Sequence, residues 1–195
     1  MRLIIVDGLD GVGKDTHADL IKKRYENMGE KVVIRSHPTD DNFFGRKAKK
    51  ALFGKGKINK IKASVFYMFD VLRSIRKYND RDDIDSLIMV RYLVGTAYLP
   101  EKLAKFAYTF FENFVPRSDY MFFLDSKPEN IVKRFEERDK LEMFENIDEL
   151  RKVRRKSLML VKKWKIIDTS GNIENTFSNI EDILEDLDKK HNFCC

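Results

Sequence analysis

The stretch Arg2–Ile21, RLIIVDGLDGVGKDTHADLI, decides how the rest of the chain is read. It opens with an apolar run stopped by Gly8, the pattern of a short buried strand. Gly8, Gly11 and Gly13 follow in close succession and Lys14 closes the group. Beyond it, Ala18, Leu20, Ile21 and Tyr25 recur at helical spacing, and Gly29 is a natural stop. Gly8-x4-Gly13-Lys14 is the Walker A spacing up to its last position. Glycines let successive backbone N–H groups turn toward phosphate oxygens, the helix adds its positive end, and Lys14 supplies a mobile cation. The segment Gly8, Leu9, Asp10, Gly11, Val12, Gly13, Lys14, Asp15 and Thr16 therefore reads as a cradle for the phosphates of a nucleotide. Asp15 stands where such loops carry Ser or Thr.

The rest of the chain alternates short apolar runs with helical periodicity. Strands are expected at KVVIRS (31–36), DSLIMVRY (85–92), SDYMFFLDS (118–126) and KIIDTS (165–170). Helices are expected in part of 39–57 and over 61–78, 100–115, 128–139 and 147–164, with an amphipathic helix at the C-terminal end. Alternation of this kind means βαβ units: an α/β fold with a five-stranded parallel sheet and helices on both faces. No linker, repeat or composition break divides it, so residues 1–195 read as one domain. Ligands of such sheets bind beyond the carboxyl ends of the strands. Gly8, His37, Arg91, Asp125 and Asp168 all fall there.

Composition narrows the partners. Hydrophobic residues make up 43% and 15 phenylalanines are present, which excludes a disordered chain. No apolar run has the length of a membrane span, and Met1 leaves no room for a signal peptide before the first strand. The net charge of +6 implies anionic partners without choosing between nucleotides and nucleic acid. Both cysteines, Cys194 and Cys195, are adjacent, a poor geometry for a mutual disulfide. This usage fits a reducing cytoplasm.

Taken together, the loop, the strand ends and the length resemble the thymidylate kinase family of P-loop nucleoside-monophosphate kinases. GLDGVGKDTHADLI is similar to that family's Gly-x-Asp-Gly-x-Gly-Lys-Ser/Thr-Thr opening. IRSHPT, VFYMFD, VRYLVGTAY, FLDSKPENIVKRFEERDKLEMFEN and IIDTSGNIE resemble its later motifs in order and spacing. The resemblance implies a P-loop NTPase-type three-layer sandwich that transfers the γ-phosphoryl group of ATP to dTMP with Mg²⁺, as a homodimer. It also implies a lid segment around residues 134–147. Lys14 would hold the transferring phosphate, and Asp10 would lie toward the acceptor sugar. Arg35 and Arg91 would hold the acceptor phosphate, with Tyr67 stacking on the base and Arg73 and Tyr98 close by. Gly11 stands where some relatives carry an arginine, so charge developing in transfer would be met from the lid, by Arg138 with Lys140, beside Arg134.

Several positions depart from the family pattern. Val90 replaces the aspartate before Arg91, Val71 the arginine after Asp70, Leu99 a glutamine and Met143 a lid arginine. Groups that read the base are thus more altered than groups that handle phosphate. The site loses a carboxylate at Val90 and gains one at Asp15. Asp15 is accordingly expected, with Thr16, to hold Mg²⁺ from the loop; the alternative is that Asp15 only caps the helix and Thr16 alone ligates.

Three other features carry expectations. Between Phe43 and Lys62 lie eight basic residues and no acid. They read as a solvated surface, or as a basic wall for a more phosphorylated acceptor or a nucleic-acid end. LAKFAYTFFENFV (103–115) is aromatic around most of its helix, which points to burial against another element or a second subunit. His17 reads as a helix-surface residue, and His37-Pro38 as a turn that can hold a cis bond.

Overall fold

The computed structural model describes residues 1–52, 54, 57–79, 81–136 and 147–191. Five strands form one parallel sheet: β1 (Arg2–Gly8), β2 (Val32–Ser36), β3 (Ser86–Val90), β4 (Tyr120–Asp125) and β5 (Lys165–Asp168), in the order β2-β3-β1-β4-β5. Helices α1 (Lys14–Asn27), α2 (Phe43–Leu52), α3 (Lys57–Asn79), α4 (Glu101–Glu112), α5 (Pro128–Glu136), α6 (Ile147–Leu160) and α7 (Ile173–Lys190) connect and cover it, with a 3₁₀ turn at Val94–Tyr98. The expected α/β sandwich is present.

The central strand has no accessible face. Its edges are paired by β3 (Val6 opposite Val90) and β4 (Gly8 opposite Leu124), and elements packed over its faces leave Ile4, Ile5 and Val6 fully buried. A strand covered on both faces must be apolar throughout, which is why RLIIV shows no alternation. From β1 the chain passes to the edge strand β2, returns to β3 beside β1, and then crosses to β4 and β5 on the other side. The crevice at the end of β1 is therefore the switch point of the sheet, and the glycine loop occupies it.

Element boundaries differ from expectation in ways that shape the site. β3 ends at Val90, two residues early, because Arg91 turns into the left-handed region (φ 61°). α3 begins at Lys57, one turn before the expected start. α6 stops at Leu160, where Val161 and Trp164 form a turn and the Trp164 indole N–H donates to the Tyr108 hydroxyl (3.0 Å). The bond ties the end of α6 to α4. On α4, Ala104 and Tyr108 are buried, while Leu103, Phe106 and Phe110, with Phe114 just beyond, form an exposed stripe.

Candidate active site

The loop after β1 is held by its own geometry. A Cβ on Gly8 would lie 2.3 Å from the Leu124 carbonyl oxygen, so only glycine lets the loop leave the sheet here. Gly11 (φ 81°) lies under α5, where a Cβ would meet the Phe135 ring at 2.9 Å; the loop has no room for an arginine at this position. Gly13 (φ 90°) precedes α1 with no side-chain cap, leaving the first-turn N–H groups free for an anion. Beneath the loop, Asp7 is 2% exposed and accepts from the amides of Gly8 (2.8 Å), Tyr92 (2.7 Å) and Val94 (3.0 Å). Burial pushes this carboxyl up, against the pull of those amides and of Lys14. Asp7 thus locks the end of β1 to the exit from β3. It was hidden in the strand pattern; a carboxylate closing a buried run is costly unless bonded, and that was the available signal.

Above it, charged side chains share partners. The Lys14 ammonium, 3% exposed, donates to the Leu9 carbonyl (2.5 Å) and to Asp10 (3.3 Å). Burial pulls Lys14 below the ordinary lysine range, with Asp10 opposing. Asp10 is also 3.7 Å from the Arg91 guanidinium and accepts from the Tyr98 hydroxyl (3.4 Å). Burial would raise the Asp10 carboxyl, but Lys14 and Arg91 hold it lowered. Arg91 forks onto Asp15, with both N–O distances 3.4 Å, and donates to the Ser36 hydroxyl (2.9 Å), which donates to Asp15 (3.0 Å). Nothing in the sequence pattern singles out Ser36. Tyr67 is buried against Gly95, and its hydroxyl has no hydrogen-bond partner. Burial raises the Tyr67 phenol well above its ordinary value. Asp10, Lys14, Asp15, Arg91 and Tyr98 therefore converge on one another.

Arg35 and Arg73 do not join them. Arg35 points to the other side of β2, pairing with Asp41 (3.0 Å) and Ser74 (3.4 Å), while Arg73 (3.9 Å) and Lys77 (3.7 Å) approach the same Asp41. The Arg35 hydrogen bond, chiefly, holds Asp41 far below the carboxylate range. Between the two clusters lies a saturated wall. His37 follows β2 with a cis bond to Pro38, places one ring nitrogen 2.8 Å from the Ser74 hydroxyl, and is 1% exposed. Asp70, fully buried, accepts from the Thr39 amide and hydroxyl and from Asn42. Burial lowers His37 to about 4, so it is neutral at physiological pH and has no free nitrogen to act as a base.

On the far side of the loop, Arg134 of α5 donates to the Gly11 carbonyl (3.3 Å) and to the Thr169 carbonyl after β5. His17 is 3% exposed and not on the surface as its helical position implied. It packs beside Gly13, and burial with nearby Arg134 lowers its pKa. Helical spacing cannot register a neighbour laid over the helix start. Asp125 receives Arg154 in a bidentate pair (2.8 and 2.7 Å), fixing α6 to the end of β4. Asp168 caps the Ser170 amide. Arg138, Lys140 and Met143 lie outside the described residues.

The donor set fits a nucleotide-bound Mg²⁺. No cluster of three or more His, Cys, Asp or Glu able to hold a metal occurs among the described residues. Mg²⁺ characteristically takes one or two protein oxygens and completes its shell with phosphates and water. Exposed Asp15 and Thr16 at the start of α1 offer such oxygens beside the uncapped amides.

A family model described as thymidylate kinase matches residues 6–180. A probable thymidylate kinase of Archaeoglobus fulgidus is 28% identical over 194 residues, covering 94% of both chains. Another, of Thermococcus kodakarensis, is 27% identical over 202 residues, covering 94% of this chain and 97% of the relative. The solved thymidylate kinase of Candida albicans superposes with a TM-score of 0.74 at 19% identity, over 94% of this chain and 91% of that one, a likeness of fold. These likenesses support a nucleotide kinase. Among the described residues no helix is long and apolar enough to cross a membrane.

Proposed function

The chain belongs to the thymidylate kinase family, and from that premise we propose that it transfers the γ-phosphoryl group of ATP to a nucleoside monophosphate, with dTMP the first acceptor to test. One observation carries the reading. Lys14 of the phosphate loop and Arg91 at the end of β3 share the Asp10 carboxylate, so a donor-side and an acceptor-side cation are a few ångströms apart.

Phosphoryl transfer asks little covalent chemistry of a protein; it asks for two phosphates in line and charge neutralised between them. The uncapped amides of α1 and the glycine loop bind the ATP phosphates. Lys14 leaves Leu9 and Asp10 for the transferring group, and Asp10 turns to the acceptor sugar. Arg91 holds the acceptor phosphate, and Tyr67 and Tyr98 close the pocket above it. Bound Mg²⁺, held by Asp15 and Thr16, would supply charge neutralisation on the phosphates. Arg138 with Lys140 covers developing charge from the lid, while Arg134 keeps the loop carbonyls in place. Arg35 and Arg73 form the outer rim, where their convergence on Asp41 favours acceptors that carry an anionic group. The protein works in the cytoplasm as a homodimer joined through the exposed aromatic stripe of α4, and its anionic partners are nucleotides ahead of nucleic acid.

The test is a screen of purified protein with ATP and Mg²⁺ against dTMP, dUMP, other monophosphates, nucleosides and a 5′-hydroxyl oligonucleotide. Acceptor-dependent ADP formation with a monophosphate is expected. ADP formation that ignores the acceptor would sink the kinase reading, and transfer to the oligonucleotide alone would move it to nucleic-acid ends.

A further inference from the structure

Arg91 is the non-glycine residue with positive φ among the described residues (61°). A left-handed backbone is costly for a side-chain-bearing residue, so it persists where the surroundings fix it. Here the Arg91 amide donates to the Val6 carbonyl (3.1 Å) and the next amide, of Tyr92, donates to buried Asp7 (2.7 Å). The backbone is pinned, and the guanidinium is thereby presented to the loop mouth.

What it meets there is a stand-in for an acceptor. The two Asp15 oxygens face the two terminal Arg91 nitrogens at 3.4 Å, the forked arrangement by which a phosphate engages arginine. The contact is long beside the roughly 2.7–2.9 Å of a tight charge-assisted bond. The Asp15 side chain is 61% exposed, against 30% for Arg91. A pair that is long and wet is weak enough to exchange. Asp15 nonetheless occupies the valences an acceptor phosphate needs, and Ser36 braces it by linking both partners.

We propose that Asp15 is a tethered competitor for the acceptor phosphate at Arg91, and that its transfer to a divalent cation on the donor side couples occupancy of the two phosphate sites. The inference rests on the donor and acceptor assignment above. One carboxylate at the first turn of α1 cannot engage both partners fully. When its oxygens turn to the metal, Arg91 is released to the acceptor; when the metal is absent, Asp15 returns and weakens acceptor binding. Linkage makes the effect reciprocal: the acceptor tightens metal binding by the same factor. An exposed pair limits that factor to about two- to five-fold. Such coupling favours filling the acceptor site when donor and metal are in place, and it arises from a carboxylate where a hydroxyl could not compete for arginine.

The experiment is dTMP titration by calorimetry into the full chain with ADP present, in EDTA and in Mg²⁺, for wild type, Asp15→Asn and Asp15→Ser. Wild type is expected to bind dTMP about two- to five-fold tighter in Mg²⁺ than in EDTA. Both variants should already bind at the tighter level in EDTA and gain nothing from Mg²⁺. Variants no tighter than wild type in EDTA, or an equal gain from Mg²⁺ in all three proteins, would overturn the proposal. A second readout is independent of the acceptor: the Arg91 Nε–H resonance, assigned with Arg91→Lys. It should move between ADP–EDTA and ADP–Mg²⁺ in wild type and stay fixed in Asp15→Asn. If dTMP binds none of the proteins while that resonance behaves as stated, dTMP is not the acceptor and the exchange of Asp15 between Arg91 and the metal stands; a wild-type resonance indifferent to Mg²⁺ overturns the proposal.

Discussion

The sheet carries an arginine network at each end, and the two are built to opposite standards. At the amino end Arg2 contacts Glu30 at 2.6 Å, Asp188 at 3.0 Å and the Ser86 hydroxyl at 2.7 Å, with its side chain 2% exposed. Its guanidinium lies 4.1 Å over the Tyr25 ring, while Tyr25 and Tyr120 donate to Asp188. At the carboxyl end Arg91 meets two carboxylates at 3.4 and 3.7 Å and is 30% exposed. The first network is dry, short and saturated, and ties α7 to β1 and the end of α1. The second is long, wet and under-committed. Charges meant to hold a fold are paired to exhaustion, and charges meant to hold a ligand are paired loosely enough to change partners.

The largest effect is expected where the first network is broken. Arg2→Met leaves Asp188 buried opposite two tyrosines with no cation. Breaking a buried pair from one side typically costs about 3–5 kcal/mol, and urea unfolding should register a loss of that order. Arg2→Met with Asp188→Asn should cost clearly less than the sum of the single changes, because the stranded charge is gone. Additive losses would mean that the contacts act independently, and the contrast between the ends would lose its first half.

At the other end the same kind of change should leave the fold and remove the activity. Arg91→Ala takes away a partly exposed cation whose long pairs contribute about 0–1 kcal/mol, so the unfolding midpoint should move little. Its loss as a donor to the acceptor phosphate should lower kcat/KM about 10²–10³-fold, as removal of one preorganised donor does. A variant that unfolds readily yet turns over normally when folded would make Arg91 a second Arg2.

How much of this was legible in the sequence follows from the range of each cause. The glycine loop was readable because the positive φ of Gly8, Gly11 and Gly13 is a local backbone need, although what crowds Gly8 and Gly11 lies far along the chain. The inner strands β1, β3 and β4 were readable as apolar runs, since strands buried on both faces leave no polar alternation. Partners distant in the chain were not readable. Asp7 is defined by amides beyond residue 90, Arg2 by Asp188, and Asp125 by Arg154 of a helix that looked merely basic. Arg35 and Arg91, grouped by resemblance, stand in separate clusters because neighbouring residues of a strand point to opposite faces: Ser36, and not Arg35, faces Arg91.

His37 refines the comparison, because it places a locked group at the working end. Its ring is held between the Ser74 hydroxyl and the Val90 carbonyl, with buried Asp70 and the Arg35 guanidinium the charged groups that act on it. Burial lowers its pKa from the ordinary 6.5 to about 4. Between these values the unfolded chain binds a proton that the folded one refuses. His37 therefore contributes stability that is complete above about pH 6.5 and drains away as pH falls toward 4. At pH 5 the loss amounts to about 2 kcal/mol. In His37→Gln, urea unfolding at pH 7 and pH 5 should show a fall in stability smaller than that of wild type by this amount. An equal fall would mean that the proton enters without opening the wall, and that His37 belongs with the exchangeable charges around Arg91, not with the saturated contacts around Asp70.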